Sequence, residues 1–146
     1  MPELDDDEVE VLAGTHGTLR WQVVAGGTSD DLLTMLQVFD GEVQVASSGF
    51  GGPPLYPGKR VNEWRGRTDD LPYFVMARAA VEVTRLVAVT DRDTRVELSL
   101  GDVDARFGVR FAAAGLPDGE GPGGLLVEVN GRPERAIHQP VPLPRS

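Results

Sequence analysis

Apolar and polar residues alternate in short runs along most of this chain. Leu19, Trp21, Val23 and Ala25 oppose Thr18, Arg20, Gln22 and Val24. Successive strand side chains point to opposite faces, so each run predicts a half-buried β-strand. Val9 and Val11 continue the pattern upstream, with a turn predicted over Gly14–Gly17. Phe107, Val109 and Phe111 predict an inward row over Arg106–Ala113, and Leu125, Val127 and Val129 another. From Leu71 to Ala79, both faces carry large apolar side chains: Tyr73, Val75 and Ala77 against Phe74, Met76 and Arg78. A strand apolar on both faces is expected in the middle of the fold.

The stretch Ala80–Leu100 predicts a β-hairpin. Val81, Val83, Val87 and Val89 share a face, as do Val96, Leu98 and Leu100. Packing the two rows together places Val89 opposite Val96 and closes the hairpin with an Asp91–Thr94 loop. Arg85 interrupts the valine row. It must reach an edge, pair with an acid or mark a bulge. The absence of turn residues at Arg78–Ala80 suggests a bend between sheets there.

Asp30–Phe39 fits two periods. Leu32, Leu33, Met35, Leu36 and Phe39 would suit a helical face capped by Ser29 or Asp30. The Asp40-Gly41 pair that follows is a strong hairpin signal, which favours a strand with Val38 opposite Val43. Two segments break the pattern. Ser47–Lys59 holds three prolines and four glycines, and Ala114–Gly124 is a second Gly/Pro loop.

About nine strands at roughly ten-residue intervals predict an all-β fold. The expected form is an antiparallel β-sandwich, Ig-like in a generic sense, or a partly open barrel. The 146 residues divide into an acidic lead (1–7), one β domain (8–138) and a Pro-rich tail (139–146). The Pro140–Ser146 stretch reads as an extended chain end, with PxxP-type recognition as its alternative.

Composition narrows the chemistry. The chain has no cysteine, which excludes disulfides, thiolate metal sites and thiol catalysis. Its net charge of −9 argues against nonspecific binding to nucleic acid or anionic membranes. The start MPELDDDEVE has neither a basic end nor an apolar run, so a soluble cytoplasmic protein is expected. His16 and His138 are far apart, and no nucleophile, zinc or phosphate-loop motif is present. The pairs Asp91/Asp93 and Asp102/Asp104 flank one predicted strand and lie too far apart to share an ion. No catalytic residue, metal ligand or cofactor is assigned.

The remaining signal is local. Lys59, Arg60, Arg65 and Arg67 surround one acid, Glu63, and Trp64 sits among them. This patch follows the irregular stretch that carries Phe50, Leu55 and Tyr56. Long loops with apolar content are over-represented at functional sites. Phe50, Leu55, Tyr56, Arg60, Trp64, Arg65 and Arg67 therefore form the candidate contact surface. The competing interpretation is an ordinary strand whose arginines pair with the abundant acids, under a loop that folds back on the sandwich end. The expected function is a non-enzymatic protein-interaction or accessory module, with a protein partner or a second copy of itself. The alternatives are a small-ligand or carbohydrate-binding sandwich that stacks on Trp64, Tyr56 and Phe50, and an enzyme whose site assembles only in three dimensions.

Overall fold

The computed structural model describes residues 8–28 and 30–138, the last five as backbone alone. The acidic lead, Ser29, the Pro-rich tail and the His138 side chain lie outside the described residues. Twelve strands form three antiparallel sheets, and no helix is present among the described residues. The first sheet takes β1 (Val9–His16), β2 (Leu19–Gly27), β3 (Leu32–Asp40) and β4 (Val43–Phe50) in sequence order. The second contains β5 (Val61–Gly66), β6 (Phe74–Ala79), β9 (Ser99–Leu100) and β10 (Arg110–Gly115), in the order β5-β6-β10-β9. The third holds β7 (Val83–Thr90), β8 (Arg95–Glu97), β11 (Pro122–Val129) and β12 (Arg132–His138), in the order β12-β11-β7-β8. The fold is all-β and sandwich-like, and it does not close into a barrel.

The second sheet lies in the middle. Phe74 and Met76 of β6, with Phe111 and Ala113 of β10, join a core with Trp21, Val23, Leu36 and Val38 of the first sheet. The alternate residues Val75, Ala77, Ala79, Ala112 and Ala114 join a second core with Leu86, Ala88, Leu125 and Val127 of the third sheet. All six residues of β6 are buried, as the two-sided apolar pattern of Leu71–Ala79 predicts. The middle strands are rich in alanine, and the bulk comes from the outer sheets. Such pairing of small and large side chains fills the space between layers without voids.

The Ala80–Leu100 stretch forms its hairpin in a different register from the expected one. Ala88 faces Val96 and Val89 faces Arg95. The loop is three residues, Asp91–Asp93, with Asp93 in the left-handed region at φ 63°. The Thr90 amide donates to Thr94 at 2.9 Å and the Asp93 amide to Thr90 at 3.0 Å. This is a type I turn closed by a left-handed residue, a standard three-residue connection. The buried face is also reversed. Between Val83 and Arg85 the pairing with β11 shifts by one residue. Beyond the shift Leu86, Ala88 and Thr90 face the core, while Val87 and Val89 are half-buried on the outside. A single extra residue exchanges the two faces of everything after it. Arg85 sits at this bulge and pairs with Glu97 at 3.2 Å.

The expected strand Arg95–Leu100 is split. Glu97 ends β8 in the third sheet, and Ser99 begins β9 in the middle sheet. The chain changes sheets at Leu98, which is buried and donates its amide to Leu86 O at 2.9 Å. It also crosses between sheets at Ala80–Glu82, where a turn separates β6 from β7.

Three further differences share a cause, the placement of turns. Asp30–Phe39 is strand from Leu32 onward, and its hairpin closes over Gly41-Glu42 with Asp40 opposite Val43. A bulge then moves Val38 opposite Ala46. The β1–β2 turn falls at Gly17-Thr18, so Gly14 is inside β1. Gly14 lies against the Trp21 ring, where a Cβ would overlap the indole. Phe107 and Val109 are buried beside Phe111 as the alternation predicts, but they belong to a turn bridged by Asp104 and Val109. The Asp104 carboxylate accepts the Arg106 and Phe107 amides at 2.9 and 3.3 Å, capping that turn.

Candidate functional site

β5 is the edge strand of the middle sheet, and the candidate cations follow its length. Val61 is buried toward the third sheet, while Trp64 packs toward the first. Arg60 stands just before the strand and pairs with Glu82 at 3.3 Å. Arg65 pairs with Glu63 at 3.0 Å, and the Glu63 side chain is only 3% exposed. The Arg67 guanidinium lies over the Tyr73 ring, 5.1 Å from its centroid. A strand of this length separates Arg60 from Arg67 by about 20 Å at 3.3 Å per residue.

The preceding loop is tied down rather than free. The Asn62 amide donates to Pro53 O and Pro54 O at 3.3 and 3.0 Å, and its oxygen accepts the Tyr56 amide at 3.4 Å. Asp31 accepts the Gly52 amide at 3.0 Å, and the Leu32 amide donates to Gly52 O at 2.8 Å. Phe50 is the last residue of β4, so regular structure runs into the stretch expected to be irregular. Phe50 and Leu55 pack on the core between the first and middle sheets. Tyr56 is 52% exposed.

The sequence reading missed the residue that organises this corner, Arg78. Its side chain is wholly buried between the first and middle sheets. One terminal nitrogen donates to Leu32 O at 2.6 Å and Thr34 Oγ1 at 3.2 Å, the other to Gly51 O at 2.9 Å. The guanidinium also stacks on Phe50, 4.1 Å from the ring centroid. Burial pushes its pKa down to about 10, against the upward pull of Tyr56 and Asp31. At neutral pH it remains a cation. Arg78 therefore clips the Gly51 turn to β3 and covers the face of Phe50 toward it. The only signal in the sequence is its phase, since it continues the Phe74–Met76 face.

The structure brings Arg65 and Arg67 together in an open groove of about 410 Å³. Tyr73 lines it, and the other wall is Asp91 and the segment Gly119–Pro122. That wall is rigidly held. The Asp91 amide donates to Gly121 O at 2.9 Å, and the Gly121 amide donates back to Asp91 Oδ1 at 3.0 Å. Buried Thr90 accepts the Arg92 and Thr94 amides and donates its hydroxyl to Glu120 at 2.6 Å. Trp64 lies beside the groove's cationic end. With Arg67, Leu71 and Pro72 it lines a cavity of about 10 Å³, room for one water. Tyr56 and Arg60 belong to the opposite end of β5. Phe50, Tyr56 and Trp64 therefore do not present one continuous stacking face.

Hydrogen bonds from Thr90 and then Thr94 hold the Glu120 carboxyl below its ordinary pKa. Its contribution to folding is therefore present above the unfolded-state value and is lost as pH falls through the lowered folded-state value. Thr90→Val is expected to return Glu120 toward the ordinary carboxylate range in an NMR pH titration. An unchanged midpoint would show that Thr90 is not the cause.

Among the described residues, no three His, Asp or Glu side chains gather as a metal-holding group. His16 packs edge-on against Phe74, with ring centroids 5.9 Å apart. No helix among the described residues is long and apolar enough to cross a membrane. Compared with protein-family models, curated proteins and solved structures, the chain gives no match.

Proposed function

We propose, from the chain's own surface, that this is a non-enzymatic module acting through protein contacts at β5 and its groove. The observation that carries the reading is the convergence of Arg65, Arg67 and Tyr73 in one open groove walled by a fixed loop. Arg and Tyr are the residue types that concentrate binding energy at protein interfaces. Arg67 is exposed and stacked on Tyr73, so it is pre-positioned and loses little freedom on binding. Phe50 and Leu55 serve the surface indirectly by seating the loop before β5. The module would work as a subunit or accessory protein, in keeping with its acidity and the expected cytoplasmic setting.

The test is affinity capture from the native host at low salt, with wild-type protein and Arg67→Glu in parallel. A partner retained by the wild type and reduced at least about tenfold by the variant is expected, as for a charge reversal at an interface. Equal recovery by both proteins, or none by either, rules out this surface.

A further inference from the structure

Every open sheet must protect its edges, because unpaired backbone groups there recruit other strands. Among the described residues, five of the six edges here carry an evident device. β1, β4 and β12 each contain a register shift against their neighbour. β8 is three residues long and β9 two. β5 is the exception. Its six residues pair with β6 without interruption, from Val61 opposite Ala79 to Gly66 opposite Phe74. In an antiparallel pair, alternate residues turn their N–H and C=O groups away from the neighbour. Val61 and Asn62 are buried, with the 53–56 loop bonded to Asn62, so the regular edge that β5 leaves open runs from Glu63 to Gly66.

We infer that β5 takes up an extended acidic segment of a partner protein as an added antiparallel strand, extending the middle sheet. This rests on the contact reading above and specifies how the contact is made. Charge selects the occupant. With Arg60 paired to Glu82 and Arg65 to Glu63, Lys59 and Arg67 still leave this edge cationic, in a chain of net charge −9. The Glu63 carboxylate is already bonded to Arg65 and almost wholly covered. A second copy of β5 would set one cationic strand against another, whereas an acidic strand is complementary. The end of β5 runs into the Arg65–Arg67 groove, which gives the incoming chain space beyond the ladder. Asp91 and Glu120 stand on the far wall, bonded to Gly121 and Thr90. The acidic side chains of the ligand therefore belong on the β5 side. Backbone bonds supply affinity in this mode, and alternate side chains supply selectivity.

The probe is a short fluorescent peptide of alternating glutamate and valine, read by anisotropy against the intact protein. Its comparisons are the lysine-for-glutamate peptide and two forms N-methylated on alternate residues, one for each edge of the strand. The acidic peptide is expected to bind at least about tenfold more tightly than the lysine peptide. One N-methylated form should lose binding and the other retain it, because only one edge of the ligand pairs. Arg65→Gln with Arg67→Gln should weaken the acidic peptide about tenfold. Equal binding of both N-methylated forms, or of acidic and basic peptides, overturns strand addition. So does the absence of any peptide binding. If Arg67→Glu still abolishes capture of a natural partner in that case, the contact surface stands and only its mode is refuted.

Discussion

Arg78→Ala is expected to cost the fold about 3 kcal/mol. Three hydrogen bonds from a charged donor are lost, and each such bond contributes about 1.5–3 kcal/mol. Release from the cost of burying the guanidinium offsets part of that sum. The carbonyls of Leu32 and Gly51 are left without the donor that reaches them between the two sheets. Arg78→Lys keeps the charge but not the planar fork, so it should retain only part of the stability. The measurement is the urea midpoint of the three proteins. Limited proteolysis should show the 51–60 loop cut earlier in Arg78→Ala, since the clip on Gly51 is gone. A loss under about 0.5 kcal/mol, the range of neutral surface changes, would contradict this account of Arg78.

Trp21→Ala is expected to cost about 3–5 kcal/mol, the range for large buried aromatics. Trp21 is 2% exposed and lies in the core between the first and middle sheets. Its ring occupies the space that a side chain at position 14 would need. Gly14→Ala should therefore cost about 1–3 kcal/mol by overpacking. In a Trp21→Ala background the same change should be nearly harmless, because the ring it displaces is absent. A double-mutant cycle reads this coupling directly. Simple additivity of the two substitutions would sink the packing explanation.

Either loss is a large share of the about 5–15 kcal/mol that holds a typical domain together. The two residues anchor the same interface between layers. Trp21 does so by bulk and Arg78 by directed bonds. Loss of Arg78 should also disturb the approach to β5, since its bond to Gly51 helps hold the loop that Asn62 fastens farther along. Stability and the proposed contact surface are thus linked through one side chain that does not itself reach the surface.

Some of this was legible in the alternation of residues. The all-β class, the central position of Leu71–Ala79 and the burial of Trp21 all follow from period-two patterning. The apolar row of Val96, Leu98 and Leu100 also faces the core as expected. The Val87–Val89 face did not, because the bulge before Arg85 is one residue of extra chain and leaves no compositional mark. Arg85 was nevertheless the correct place to suspect it. The loop is Asp91–Asp93, one residue shorter than the expected Asp91–Thr94, because Asp93 takes the left-handed position that closes it.

The candidate surface was legible as a list of residues but not as an arrangement. Arg65 and Arg67 are close in sequence, and β5 delivers them to one groove. Tyr73, Asp91 and Glu120 come from other segments, and no local pattern connects them to the arginines. Phe50 and Leu55 looked available because their loop is rich in glycine and proline. Their loop is held inward by Asn62 and Arg78, which lie on the separate strands β5 and β6.

By itself, the sequence determined that this chain builds strands, which ones are apolar on both faces, and where its cations gather. These are local properties, set by side-chain alternation and charge over a few residues. Only the tertiary structure decided that there are three layers instead of two, that the valine row turns outward, and that a buried arginine pins the loop before β5. Each of those depends on which strands meet, and that is settled by burying the most apolar surface while satisfying the backbone across the whole chain.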